Sequence, residues 1–406
     1  MTKYTVAVAG ATGYAGGEAL RILATHPNFE VTTVAGHSSV GEKLGAYQPH
    51  IPQLADLTIV DTTAEALNGH DVIILALPHG ASGALAAQLD ESATVVDLGA
   101  DHRLEMQQAW DDYYGGAFYE HWTYGMPELI LGKDANGRYL RQRDVISGVA
   151  ADDVLPVSEM HDAGGAQDVL PVSEMRQAED VQDALPVRRG TRRIAGPGCN
   201  VTATTLAMQP AIAENLIVPH TIVADLAVGY SGAGKSLKRT NLLASEALNS
   251  ATPYSVGGTH RHIPEILQNF AHAAGLGAEA ANEFMLAFTP MLVPMSRGIL
   301  ASVSAKLTDK ALDMDDDDIR AVWTKAYEGQ PFVFVLPEGV MPATQNVLGS
   351  NAAHVQVAVD RRSRTLHAFA AIDNLNRGTA GQAVESLNLA FGLNEETGLS
   401  KIGVAP

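Results

Sequence analysis

The chain has 406 residues, with 27 Lys and Arg against 46 Asp and Glu, a formal net charge of −19 at pH 7. That acidic excess leaves no pool of cations for a nucleic-acid backbone or an anionic membrane surface. Hydrophobic residues at 46 % and charged residues at 18 % fit a well-buried globular protein of two or three domains.

No apolar run approaches the roughly 18 residues of a membrane span. The opening Met1-Thr-Lys-Tyr-Thr lacks the parts of a secretory signal, so a cytoplasmic location is expected. The single cysteine, Cys199, excludes an intramolecular disulfide framework. With no C-x-x-C or H-E-x-x-H spacing, no metal site is expected.

Tyr4 to Ala9 alternates as a strand and runs into Gly10-Ala-Thr-Gly13-Tyr-Ala-Gly16, after which Ala19 to Leu23 carries helical spacing. Strand, glycine turn and helix form the unit that rests a pyrophosphate on a helix N-terminus. Gly10 permits the tight turn, Gly13 the approach of phosphate, and Gly16 close helix–strand packing. The next strand, Glu30 to Ala35, ends in Gly36-His37-Ser38-Ser39. It lacks the carboxylate that would accept from a ribose 2′-hydroxyl, and these side chains suit a 2′-phosphate, which favours NADP over NAD.

Asp71 to Leu77 is an apolar run of the kind a parallel strand shows when covered on both faces. It ends in Pro78-His79-Gly80, and a helix is expected over Ala81–Leu89. Another strand, Ala93 to Leu98, leads to Gly99-Ala-Asp101-His102-Arg103. The strand ends place His79, Asp101, His102 and Arg103 near the ligand crevice. Residues 144–190 read as a mobile insertion, because Asp153-Val-Leu-Pro-Val-Ser-Glu-Met160 recurs as Asp168 to Met175 and, degenerately, from Asp183.

Gly196-Pro-Gly198-Cys199 breaks the chain just before a stretch that reads as a helix burying Leu206 and Met208. A cysteine at a helix start has its thiolate favoured by the dipole and is a candidate nucleophile. Its candidate acid/base partner lies in His260-Arg261-His262-Ile-Pro-Glu265, the densest cluster of ionisable groups. Sequence does not separate His260 from His262.

Gly229-Tyr-Ser-Gly-Ala-Gly234-Lys235-Ser236 matches the P-loop pattern and follows an apolar strand. A phosphotransferase is therefore an alternative, disfavoured because the first glycine turn already accounts for a nucleotide. Asp315 to Asp318 reads as an acidic helix start. Phe332–Leu336, Ala353–Val359 and Arg364–Ile372 read as strands.

These motifs, taken with Ala76-Leu-Pro-His-Gly80, Tyr124-Gly-Met-Pro-Glu128, Ser296-Arg297-Gly298 and Asp373-Asn374 to Gln382, resemble the N-acetyl-γ-glutamyl-phosphate reductases of arginine biosynthesis. These belong to the NADP-dependent semialdehyde dehydrogenase superfamily, and the likeness is closest to actinobacterial members. Asn200 stands where that family usually has an aromatic; sibling reductases of carrier-bound aminoadipyl or glutamyl phosphate share it and form a second alternative.

The resemblance implies an α/β fold like that of glyceraldehyde-3-phosphate dehydrogenase. Residues 1–195, completed by 375–406, would form a Rossmann-type NADP-binding domain, and 196–374 an α+β catalytic and oligomerisation domain, in a homodimer or homotetramer. It implies Cys199 as nucleophile with His260 and His262. NADP would lie against Gly10, Thr12, Gly13, Tyr14, Ala15, Gly16, Ser38, Ser39, Pro78, Ser231, Gly232 and Asn374. An acyl phosphate substrate would meet Arg103, Arg261, Glu265 and Arg297.

Overall fold

The computed structural model describes residues 3–148, 190–235 and 243–405. The three repeat copies at 153–187 lie outside the described residues. The chain opens with β1 (Tyr4–Ala9), α1 (Tyr14–Leu23), β2 (Phe29–Ala35), α2 (Ala64–Leu67), β3 (Val72–Leu75), α3 (Ser82–Ala86), β4 (Thr94–Asp97) and α4 (Gln107–Tyr113). Then come β5 (Thr123–Tyr124), the hairpin β6 (Ile130–Lys133) and β7 (Tyr139–Arg141), α5 (Gln142–Ser147) and β8 (Arg193–Ala195).

Six strands form one parallel sheet in the order β2-β1-β3-β4-β8-β5. The chain leaves β1 for β2 on one side and returns to β3 on the other. That reversal opens a crevice at the carboxyl end of β1, where the first glycine turn lies. Val6 to Ala9 and Val72 to Leu75 are fully buried, as strands covered on both faces must be.

Two expectations are corrected. The helix expected to reach Leu89 ends at Ala86 and tightens into a turn in which Gln88 N donates to Leu85 O and Leu89 N to Ala86 O. The insertion does not begin at 144, because α5 runs on to Ser147 and is closed by Gly148 at φ 68°. Gly190 and Thr191 are already docked on the domain, donating to Ala390 O and Ile146 O.

The second half comprises α6 (Cys199–Ala213), β9 (Ile222–Val228), α7 (Ala244–Ala247), β10 (Thr252–Pro253), α8 (Ile263–Ala273), β11 (Leu286–Leu292), β12 (Ile299–Lys306), α9 (Asp309–Leu312) and α10 (Asp316–Tyr327). It ends with β13 (Val333–Val335), β14 (Ala353–Asp360), β15 (Thr365–Ile372) and α11 (Gly381–Ala390). Its mixed sheet runs β10-β11-β9-β12-β15-β14-β13. β12 and β15 pair antiparallel from Ile299↔Ile372 to Lys306↔Thr365. Ile299, Ala301, Val303 and Ala305 of β12 point into the core, the period of two that a one-sided sheet requires. The acidic start of α10 is capped as expected, Asp315 Oδ1 accepting from Asp318 N at 2.8 Å.

α6 lies at the centre of this half and is buried on every side from Asn200 to Ile212, including Leu206 and Met208. Pro210 inside it has no N–H for the carbonyl of Leu206 four residues back. The Tyr327 hydroxyl donates to that carbonyl instead, and Trp323 Nε1 donates to Ala207 O at 3.0 Å. A proline that would normally break a helix is thus accommodated, because α10 supplies the missing donor. After β15 a π-helical turn, Asn376–Ala380, leads into α11. Val384, Leu387 and Phe391 then join Leu20, Leu23 and Phe29 in the core of the first half.

Candidate active site

The first glycine turn is shaped by steric necessity. Gly10 has φ 76°, and a Cβ there would lie 2.2 Å from Ala76 O; one on Gly16 would lie 2.3 Å from Gly10 O. Both positions exclude any side chain. Gly13 is the N-cap of α1, and its nearest neighbour to a Cβ is Gly10 O at 3.4 Å, so its glycine leaves room rather than relieving a clash. The first N–H groups of α1, at Tyr14, Ala15 and Gly16, have no intrahelical acceptor, which is the arrangement an anion can use.

Gln48, which no sequence signal marked, holds the turn from behind. Its Nε2 donates to Ala11 O at 2.9 Å and Gly13 O at 3.1 Å. Thr12 faces the end of β2, its Cγ2 lying 3.8 Å from where a Gly36 Cβ would be. In that loop Ser38 is exposed, and Ser39 is buried with an Oγ that has no hydrogen-bond partner. An orphaned buried hydroxyl beside an exposed one fits the 2′-phosphate of NADP. His37 instead faces Asp61, Nδ1 to Oδ1 3.5 Å. Pro78 lies just past β3, its carbonyl accepting from Ala81 N.

Ser231, Gly232 and Asn374 converge from distant parts of the chain. Asn374 is buried, with its Nδ2 3.0 Å from Ser231 Oγ and its Oδ1 accepting from Gly298 N at 2.7 Å. A Cβ on Gly232 would lie 3.8 Å from Asn374 Nδ2.

The P-loop alternative fails on the same loop. Gly229 N donates to Gly298 O, Tyr230 N to Met295 O and Ser231 N to Ser296 O. These three N–H groups are spent on the neighbouring segment, those of Gly232 and Gly234 turn back to Gly229 O and Ser231 O, and a single 3-10 turn, Tyr230–Ala233, follows the strand. Ser236, the last residue of the pattern, lies outside the described residues.

Cys199 is the first residue of α6, with Gly198 as N-cap, and it is partly exposed. Two glycines let other groups reach it. A Cβ on Gly198 would lie 2.6 Å from Nε2 of His262, and one on Gly378 would lie 2.7 Å from Cβ of Cys199. The Gly198 contact separates the two histidines, because Nε2 of His262 lies against the residue just before Cys199. His260 is one layer out, its ring 4.8 Å from that of His262 and 5.0 Å from Phe288. Its Nδ1 accepts from the His262 backbone N–H at 3.0 Å, which leaves its proton on Nε2.

The expectation of a depressed thiol pKa is corrected. Burial pushes Cys199 up to about 11, and Arg103 and the N–H groups at the helix start pull it back only in part. Desolvation outweighs the dipole here, so the resting sulfur is a thiol and needs a base. Burial, reinforced by His260, Arg103 and His79, holds His262 well below its ordinary value. Burial and Arg261 bring His260 to about 4. Both imidazoles are therefore neutral at pH 7 and able to accept a proton.

Two expected substrate ligands, Glu265 and Arg103, are instead structural partners of one another. Glu265 Oε1 accepts from Gly198 N at 2.9 Å and from the Tyr124 hydroxyl at 2.7 Å. Its Oε2 lies 3.4 Å from Arg103 Nη1, and both residues are buried. Arg103 donates through Nε to Gly196 O at 2.7 Å and through Nη2 to Leu98 O at 2.9 Å. The pair thus braces the turn that presents Cys199. Arg297 is likewise engaged. It donates to Glu18 of α1 at 3.0 Å and to Asp373 Oδ1 at 2.9 Å, tying the first glycine unit to the segment before Asn374. Arg261 is different. It is exposed, and its guanidinium lies 5.4 Å over the Tyr114 ring, while His79 meets the same ring at 5.8 Å.

Among the described residues no group of three or more His, Cys, Asp or Glu is placed to hold a metal ion, and no helix is long and apolar enough to cross a membrane. A parallel dinucleotide sheet, a cysteine at a helix start and a histidine against it are the parts of an aldehyde-forming oxidoreductase. The chain belongs to the semialdehyde dehydrogenase family: residues 5–134 match its NAD binding domain and residues 199–374 its dimerisation domain.

Within that family, a Bifidobacterium animalis subsp. lactis protein named N-acetyl-gamma-glutamyl-phosphate reductase is 72% identical over the full length of both chains. A Leifsonia xyli protein of the same name is 46% identical over 99% of each chain. The fold is that of aspartate semialdehyde dehydrogenase with NADP from Candida albicans, at a TM-score of 0.61 and 14% identity over 96% of this chain and 99% of that one. The Vibrio cholerae enzyme II complexed with ASA gives 0.59 and 14% over 96% and 98%.

Proposed function

We infer that the chain reduces N-acetyl-γ-glutamyl phosphate to N-acetyl-glutamate semialdehyde and phosphate, with NADPH as reductant, in arginine biosynthesis. The observation that carries the chemistry is Cys199 at the start of α6 with His262 Nε2 against Gly198. The relatives named above support the substrate, and they disfavour a carrier-bound one.

His262, neutral at rest, takes the thiol proton. The Cys199 thiolate attacks the acyl carbon, the C–O bond to phosphate breaks, and a thioester forms on sulfur. NADPH, held at the Gly10–Gly16 turn, would supply the hydride that reduces the thioester. His262 holds its proton toward the thioester oxygen, and the sulfur then leaves as thiolate with release of the aldehyde. The N–H groups at the start of α6 face the developing oxyanion. Arg261, with its guanidinium unpaired by any carboxylate among the described residues, offers charge to the substrate's carboxylate or the departing phosphate. Arg103 and Glu265 keep the turn in place and touch neither.

The cofactor residues are Gly10 to Gly16 for the pyrophosphate, Ser38 and Ser39 for the 2′-phosphate, and Ser231, Gly232 and Asn374 toward the nicotinamide. The face of the second sheet turned away from α6 carries exposed Val223 and half-buried Ser302, Ser304, His367 and Phe369. It is the surface through which two copies would pair in a homodimer or homotetramer. A cytoplasmic setting agrees with one unpaired cysteine kept reduced.

The test is the reverse assay with N-acetyl-glutamate semialdehyde, phosphate and NADP, followed by absorbance of the reduced cofactor. The wild type turns over, while Cys199→Ser loses activity by at least a thousandfold yet still binds NADPH by fluorescence titration. Substantial turnover by the serine variant would remove the nucleophile from the account.

A further inference from the structure

We propose that Asn200 and Tyr254 form the receptor for the substrate's N-acyl amide and make the enzyme selective for acylated over free α-amino substrates. The proposal rests on the function inferred above and adds a substrate-recognition pair to it. Asn200 follows the nucleophile directly in α6 and is 2% exposed. Its Nδ2 lies 3.3 Å from the Tyr254 hydroxyl, and its Oδ1, sealed from solvent, has no hydrogen-bond partner. Tyr254 leads into the loop that carries the catalytic histidines, with its ring 5.5 Å from that of His260. Burial holds its phenol up to about 12, so it keeps its proton, and that proton meets no acceptor among the described residues.

The pair therefore has one acceptor and one donor left over beside the reacting sulfur. A secondary amide has the converse, one N–H donor and one carbonyl acceptor. Turning the Asn200 amide over does not change this: Tyr254 then donates to Oδ1, and the pair offers an Nδ2–H and a phenol lone pair. A free ammonium group offers three donors and a positive charge. The cations beside this corner are Arg103, which acts on Cys199, and Arg261, which acts on His260, and the nearby carboxylate, Glu265, is already committed to Gly198, Tyr124 and Arg103. A buried acceptor left unmatched by the wrong substrate is the strongest available source of discrimination. The loop residues 255–259 that follow Tyr254 are all exposed.

The experiment compares N-acetyl-glutamate semialdehyde with its 2-acetoxy analogue, in which an ester oxygen replaces the amide N–H. It uses wild type, Asn200→Ser and Tyr254→Phe in the reverse assay, with iodoacetamide alkylation of Cys199 as a check on the thiol's surroundings. The wild type should prefer the amide at least about tenfold in kcat/KM, the worth of one hydrogen bond to a buried group. Both variants should raise KM for the amide about tenfold or more, with kcat within about threefold and alkylation within about twofold. Asn200→Ser should no longer distinguish amide from ester. An amide preference that survives in Asn200→Ser, or a loss confined to kcat, overturns the proposal. A wild type inert toward the N-acetyl substrate overturns the function itself, and is distinguished by failing before any variant is compared.

Discussion

Two glycine turns in this chain carry nucleotide-phosphate patterns, and their N–H groups go to different places. Gly10–Gly16 ends a parallel strand and opens α1; the N–H groups of Gly10, Ala11 and Gly13 are used within the domain, and those of Tyr14, Ala15 and Gly16 begin the helix with no intrahelical acceptor. Gly229–Lys235 matches the longer and more specific pattern, yet its N–H groups close onto Met295, Ser296 and Gly298. The pattern of glycines does not decide between them; where the hydrogen bonds go does.

The sharpest way to break this comparison is Gly10→Ala. With φ at 76° and a Cβ 2.2 Å from Ala76 O, it should destabilise the fold by about 2–4 kcal/mol and lose NADPH binding, read by calorimetry and fluorescence. A variant that binds normally would show that the turn is not the cofactor seat.

The turn at Gly196–Cys199 adds a third case, a helix start with a titratable group on it. Its thiol is held at about 11 instead of its ordinary 9.0, chiefly by burial. Alkylation of the ligand-free enzyme should therefore rise about tenfold per pH unit from pH 7 to 10. The fold should also lose stability between about pH 9 and pH 11, where an unfolded thiol has given up its proton and the folded one has not. A rate plateau below pH 8 would mean that the helix start prevails over desolvation.

The smallest effect is expected at Lys235→Ala. Its ammonium lies exposed, 6.0 Å over the Tyr47 ring, so stability should change by no more than about 0.5 kcal/mol. No ATP hydrolysis should be present to lose, as a phosphate-release assay on both proteins would show.

Much of the scaffold was legible in the residues. The buried strands are apolar runs, and Gly-Pro-Gly before Cys199 announces a helix start. The acidic run before Ile319 caps a helix as its composition suggests. The site was only partly legible. Glu265, Arg103 and Arg297 looked like ligands because ionisable residues in a crevice usually are, but each has partners between 67 and 279 residues away in sequence. Gln48 and Tyr254 gave no signal, since a glutamine or a tyrosine acquires a role only from what folds against it.

By itself the sequence determined the local elements, the glycine positions that tolerate no side chain, and the cysteine with its histidine cluster. These follow from short-range sterics and periodicity. Tertiary structure alone decided that His262 and not His260 lies against Gly198, that the second glycine turn commits the N–H groups of Gly229, Tyr230 and Ser231 to the segment 295–298, and that burial raises the thiol pKa. Desolvation and long-range hydrogen bonding settle those points, and both depend on atoms that approach only when the chain is folded.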